Sequence, residues 1–131
     1  MNTDYIKFIP LKATPFVQFL IDEHSFDLFI VNQRATKHGD FRKLPSGRFQ
    51  ITVNNNLNKY QFLLTLIHEI AHHVTHLKFG RVQPHGQEWK TVFQHLMLPF
   101  IHPESSIFFD CPVNLCYYRL LKEVTLKNIN Q

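Results

Sequence analysis

The sequence predicts an α+β domain with a short N-terminal helix, a small three-stranded sheet, a long central helix and a second helix packed on it. Three observations predict it. Residues 58–77 contain neither proline nor glycine and repeat apolar side chains every three or four positions, as a helix with a buried stripe does. Short apolar or alternating runs precede that stretch, two of them joined by the turn signal Pro45-Ser46-Gly47. After it, Gly80 and Pro84 break the chain, and Trp89, Val92, Phe93, Leu96 and Met97 recur at helical spacing until Pro99.

Taken in order, Thr14-Pro15 reads as an N-cap followed by proline in the first turn. It opens a helix through about residue 23 that is expected to bury Phe16, Phe19 and Leu20. Residues 26–31 are a compact apolar run, expected as a buried strand, and residues 41–44 and 48–54 are two more strands. Phe49, Ile51 and Val53 alternate with polar neighbours, which predicts one face on the core. In the long helix Leu63, Leu66, Ile67, Ile70, Ala71, Val74 and Leu77 form the apolar stripe. Asn54, Asn55, Asn56 and Asn58 supply cap-type residues before it, and Lys78-Phe79-Gly80 reads as its stop. Beyond Pro103, residues 107–109 and 115–121 are apolar enough to cover the core as a strand and a helix.

The chain of 131 residues is read as one domain, residues 1–131, with a modest core built from a 44% hydrophobic composition and thirteen phenylalanines. There is no internal repeat and no low-complexity tract. No run of eighteen apolar residues exists, and Met1-Asn2-Thr3-Asp4 lacks the basic-then-apolar pattern of a signal peptide, so no membrane partner is expected. Two cysteines, Cys111 and Cys116, suit a reducing compartment, and a cytoplasmic location is the expectation. Two thiols cannot close a four-ligand structural zinc site within one chain.

Chemistry is concentrated in His68-Glu69-Ile70-Ala71-His72. Two imidazoles four residues apart lie one turn apart on the same side of a helix and can reach one ion. Catalytic zinc takes three protein ligands and keeps a fourth position open. Thr75 and Lys78 stand where a metzincin needs glycine and histidine, which excludes that arrangement. His85, brought back by Gly80 and Pro84, is the better-placed third ligand, with Glu88 as the alternative. Glu69 is the natural general base, taking a proton from water and delivering it to a leaving amine. His76 shares the histidine stripe, with a solvated or supporting role at least as fitting as a catalytic one.

His68-Glu69-Ile70-Ala71-His72-His73, followed by His85-Gly86-Gln87-Glu88-Trp89-Lys90, resembles the SprT-like zinc metallopeptidase family, which includes the Spartan proteases. The likeness spans roughly residues 14–100 and takes in Gly39-Asp40-Phe41 and residues 49–54, which are similar to the strands ahead of that family's active helix. The resemblance implies a minimal zincin-like domain, a Zn2+ cofactor held by His68, His72 and His85, and hydrolysis of protein or peptide substrates. It also implies substrates crosslinked to DNA, a family-level analogy. Many members carry a cysteine-rich zinc ribbon, and this chain has no complete one.

The formal net charge of +4 and a pI near 9.2 suit an anionic partner. Arg34, Lys37, Arg42, Lys43 and Arg48, interleaved with Phe41 and Phe49, could track single-stranded DNA. The plainer reading is a solvated sheet face with core phenylalanines, and it is the favoured one. Two alternatives stand beside the DNA-linked peptidase: a general cytoplasmic zinc peptidase without a nucleic-acid role, and a non-catalytic module in which zinc only stabilises the fold.

Overall fold

The computed structural model describes residues 3–108. Three strands, β1 (Asp27–Val31), β2 (Gly39–Lys43) and β3 (Phe49–Asn54), form one sheet in the order β1-β3-β2. Three α-helices, α1 (Thr14–Glu23), α2 (Lys59–Phe79) and α3 (Gln87–Ile101), complete the α+β arrangement. The expected element order is therefore present, with 3-10 turns at Asp4–Phe8 and Leu11–Ala13 ahead of α1.

The N-terminal helix differs in its buried face. Ala13, Val17 and Leu20, spaced as i, i+4 and i+7, are the buried stripe, whereas Phe16 and Phe19 are 36% and 62% exposed. Thr14 is already helical rather than capping, because the 3-10 turn before it runs straight into the helix and rotates its inner face. That turn and its predecessor add Tyr5, Ile9 and Ala13 to the core. The Tyr5 hydroxyl donates to Gln18 Oε1 and ties the N-terminal segment to α1.

β1 pairs parallel to β3, with Leu28 opposite Ile51 and Ile30 opposite Val53. β2 pairs antiparallel, with Phe41 opposite Ile51. The β2–β3 turn closes through Leu44 N–H to Arg48 O at 2.7 Å and Gly47 N–H to Leu44 O at 2.9 Å. Gly47 sits at φ 92°, a conformation glycine adopts without steric cost.

Two strand expectations are corrected by the strand order. β1 is an edge strand with one covered face, so Leu28 is buried while Phe29 is 49% exposed. β3 is central, and both its faces are covered: Ile51 and Val53 toward the helices, Thr52 and Asn54 on the other side. Arg34 covers that second face, its Nε donating to Asn54 Oδ1 at 2.8 Å and its Nη1 to Thr52 Oγ1 at 2.9 Å.

α2 follows the capping chemistry of the sequence. Asn58 Oδ1 accepts from the N–H groups of Tyr60 and Gln61 at 3.0 and 2.9 Å. Gly80, at φ 70°, ends the helix with its N–H on His76 O at 2.8 Å. Between these caps α2 packs on β2 and β3 with one side and on α3 with the other. Its burial therefore extends beyond a single stripe to Phe62, Leu64, Thr65 and Thr75.

α3 continues through Pro99 to Ile101, beyond the expected stop, because Met97 and Phe100 are buried and Phe100 packs edge-on against Phe16. Ile107 and Phe108, expected in a strand, form a turn and are buried, with Phe108 against Tyr60. Phe109, the expected helix at 115–121, Cys111 and Cys116 lie outside the described residues. Among the described residues, no helix is long and apolar enough to cross a membrane.

Helix α2 and strand β2 approach closely at Gly39. A Cβ there would stand 2.6 Å from Thr65 Cγ2, 3.1 Å from Glu69 Cγ and 3.1 Å from Thr52 O. Gly39→Ala is accordingly expected to cost about 1–3 kcal/mol, read as a lowered thermal midpoint. Adding Thr65→Ser removes the nearest methyl and should recover part of that loss; a Gly39→Ala protein as stable as wild type would show that the two elements do not meet this closely.

Candidate metal centre

The regular rise of α2 puts His68 and His72 on one side, one turn apart. His85 arrives from the α2–α3 connection in the left-handed region, at φ 58°. A non-glycine residue there carries strain of about 1 kcal/mol or more, and at this position the strained backbone aims a ring at the two helical histidines. The three Nε2 atoms converge: His68 to His72 3.3 Å, His72 to His85 3.0 Å, and His68 to His85 3.0 Å. Bonds of 2.0–2.1 Å in tetrahedral geometry place ligand nitrogens about 3.3–3.4 Å apart, close to these separations.

Proton chemistry alone does not account for the triangle. Each Nε2 has one in-plane direction, holding either a proton or a lone pair. One proton can join one pair of these atoms, and three mutual contacts cannot all be hydrogen bonds. Three lone pairs aimed at a common centre are satisfied by a cation, so the cluster is positioned to bind a metal ion. Glu88, the alternative third ligand, is not part of this cluster.

Trp89 is the platform under the cluster. Its ring lies 4.7 Å from His68, 5.4 Å from His72 and 4.7 Å from His85, centroid to centroid. Its other neighbour is Phe93, stacked at 5.0 Å, and its indole N–H donates to His68 O at 3.4 Å. Burial of Trp89 fixes the start of α3, and with it the short segment Pro84-His85-Gly86. From the sequence Trp89 reads as a helix core residue and as the aromatic of the family motif; its contact with all three rings needed the fold.

Glu69 is buried beside the cluster, where α2 meets β2 at Gly39. Burial, and secondarily the Asp40 carboxylate, push its pKa up to about 7 against the opposing pull of Arg34 and Lys37. His72 is pushed the other way, down to about 4, by burial and then by His85. It is therefore neutral, as a ligand must be, through the whole physiological range. Glu69 and His68 line a cleft of about 540 Å³ whose floor includes Leu64 and Phe93. Its rim is the β1–β2 connection, with Arg34, Lys37 and His38.

His73 and His76 separate from the triangle. His73 is fully buried, packed against Phe49 at 4.8 Å, Phe26 at 5.6 Å and Phe41 at 5.7 Å, with both ring nitrogens unpartnered. Burial lowers its pKa to about 4, with His24 and His76 adding to the shift. His76 packs on Phe49 and Phe41, away from the triangle.

Three of the five basic residues of the strand region make ion pairs, with two carboxylates between them. Asp40 pairs with both Lys37, at 3.3 Å, and Arg42, at 2.8 Å, and Asp27 pairs with Arg48 at 2.7 Å. Lys43 lies over the Phe49 ring at 5.9 Å. Phe41 and Phe49 stack on each other and pack against His73. The two rings are thus packed against a buried histidine while Arg42 and Arg48 remain exposed.

The model of the SprT-like family matches residues 18–113 of this chain. Among curated relatives, Protein SprT of Proteus mirabilis is 37% identical over 70 residues, covering 50% of this chain and 40% of that protein. Protein SprT of Yersinia enterocolitica is 38% identical over 53 residues, covering 37% of this chain and 31% of that protein. Protein SprT of Vibrio atlanticus is 63% identical over 27 residues, covering 21% and 16%. The matched segments thus span less than half the length of these relatives. No solved structure matches the chain.

The raised pKa of Glu69 makes a stability prediction for metal-free protein. Its carboxyl holds a proton more tightly folded (about 7) than at its ordinary value of 4.5, so its contribution is fully present below pH 4.5 and is lost as pH rises through 7. Glu69→Gln should therefore stabilise the chelator-treated protein by about 1–3 kcal/mol at pH 8 and by little at pH 4.5. Equal effects at both pH values, by thermal or urea melting, would mean that the buried carboxylate is not destabilised.

Proposed function

The chain belongs to the SprT-like family, and from that premise we propose that it is a zinc-dependent metallopeptidase with Glu69 as general base. The observation that carries this reading is the convergence of three imidazole nitrogens at 3.0–3.3 Å beside a buried carboxylate in a cleft. The donor set suits zinc: nitrogen ligands, tetrahedral spacing and, among the described residues, three protein groups, as catalytic rather than structural zinc sites have. His68, His72 and His85 would hold the ion. The chemistry a bound zinc supplies is Lewis acidity, which brings a water's pKa toward neutrality and polarises a carbonyl oxygen.

The chain's own groups do the rest. Glu69 is shielded from solvent and fixed by the approach of Gly39, so its carboxylate faces the cleft from one place. It removes a proton from the attacking water and returns it to the departing amine. A base whose pKa lies near neutrality is suited to both transfers. Trp89 holds the three rings from beneath and closes that side of the site to water. The cleft rim along the β1–β2 connection offers polar side chains to an extended peptide.

A substrate crosslinked to DNA draws its support from the family resemblance. The pairing of Lys37, Arg42 and Arg48 with carboxylates, and the packing of Phe41 and Phe49 on His73, favour a peptidase acting on polypeptide without a stacked nucleic-acid strand. A module in which zinc is purely structural has no use for a buried base open to a cleft.

Purified wild type should contain one zinc per chain, and His85→Ala should lose or weaken it. Casein or histone cleavage should fall by about 10²–10⁴ in Glu69→Gln while its zinc is retained, and single-stranded DNA should not alter the rate. Absence of zinc after reconstitution would sink the reading, and zinc without cleavage would favour the structural module. Stimulation by single-stranded DNA would restore the crosslinked substrate.

A further inference from the structure

One guanidinium lining the cleft makes no ion pair among the described residues. Arg34, half-buried in the connection between β1 and β2, lines the same cleft as His68 and Glu69. Its two hydrogen bonds go to neutral oxygens, Asn54 Oδ1 at 2.8 Å and Thr52 Oγ1 at 2.9 Å. Its third nitrogen, Nη2, is shielded from solvent and unpartnered. The ion pairs among the described residues join Lys37 and Arg42 to Asp40, and Arg48 to Asp27; none includes Arg34. A neutral clamp fixes the direction of a guanidinium but gives it no direct ion-pair partner, and a half-buried cation so placed is costly.

We propose that Arg34 is a specificity-determining residue of this cleft and recognises an acidic side chain of the polypeptide substrate close to the scissile bond. The inference rests on the peptidase reading and names the substrate class for the same site. The charge pattern favours a single carboxylate over a nucleic-acid backbone. A phosphate chain needs a track of available cations, whereas of the two Lys/Arg residues lining the cleft Lys37 is paired with Asp40 and Arg34 alone is without an ion pair. Arginine also suits the task, because a planar fork already held at Nε and Nη1 loses little freedom on meeting a carboxylate. Glu69, in the same cleft, acts on Arg34 only at longer range, since the two feel each other's charge but make no ion pair.

The test uses the whole 131-residue chain, zinc-loaded and carrying Glu69→Gln, so that binding is read without turnover. Trp89, the one tryptophan, lies against all three imidazoles and serves as the fluorescent reporter. Otherwise identical peptides carry Asp or Asn in turn at each position flanking one susceptible bond. At one position Asp should bind roughly tenfold more tightly than Asn, and adding Arg34→Gln should erase that ratio. A role confined to clamping β3 would lower the melting temperature and leave the ratio intact, overturning the proposal. Equal binding of every Asp and Asn pair to the protein with Arg34 in place overturns it too, even if Arg34→Gln fails to fold. Arg34-dependent binding of an oligothymidylate, with no preference among peptides, overturns it in favour of a phosphate ligand. Wild-type cleavage of the same peptides separates the two readings: no cleavage with the Asp preference intact would remove the peptidase and leave the carboxylate site.

Discussion

Three ring nitrogens held 3.0–3.3 Å apart with no set of protons that satisfies them all are the constraint on which this structure turns. Such an arrangement does not persist through its own attraction. It is imposed by elements that are stable for other reasons. α2 sets the spacing of His68 and His72 through its regular rise. The buried Trp89 anchors the start of α3 and leaves the chain before it little choice of path. His85 then takes a left-handed conformation that is uncommon for any residue but glycine. Strain at this residue and crowding of the imidazoles are two faces of one demand, that three donors meet at a point.

That demand shapes the packing around α2. A helix carrying two ligands and a base must be rigid to a fraction of an ångström, and burial on two sides supplies the rigidity. The sheet meets it at Gly39, where the lack of a side chain lets β2 come against Thr65 and Glu69. α3 meets it on the other side through Trp89 and Phe93. Glu69 is thereby dried on the sheet side and left facing the cleft, which is what pushes its carboxyl toward neutrality.

Much of this was legible because it rests on local rules. The ends of α2 are written in Asn58 and Gly80, whose roles depend only on neighbouring backbone. The i, i+4 histidines need no tertiary knowledge either. What was not legible depends on which surface meets which. Phe16 and Phe19 look like core residues by composition, yet the 3-10 turn feeding into Thr14 rotates the helix so that Val17 and Leu20 face inward. The polar face of β3 looks solvated, yet its central place in the sheet and the reach of Arg34 across twenty residues bury Thr52 and Asn54. Arg34 in the sequence is one more basic residue in a basic stretch. Only the fold separates it from Lys37 and Arg42, which share Asp40, and from Arg48, which pairs with Asp27.

The neighbouring pair His72 and His73 shows why geometry, rather than perturbed titration, identifies the site. Both are pushed down to about 4, and for both the first cause is burial. Both consequently stay neutral and give up stability as pH falls through the range where an unfolded histidine would gain a proton. Their surroundings nevertheless point to opposite roles. His73 turns into phenylalanine rings and leaves both nitrogens without a partner, so it acts as an aromatic filler with a polar penalty. His72 turns the other way and brings Nε2 to two further imidazoles. Adjacent positions on a helix are about 100° apart, and that rotation alone divides a core residue from a metal ligand. A lowered pKa marks a histidine that has left water. The convergence of other lone pairs on the same point marks one that has something to bind.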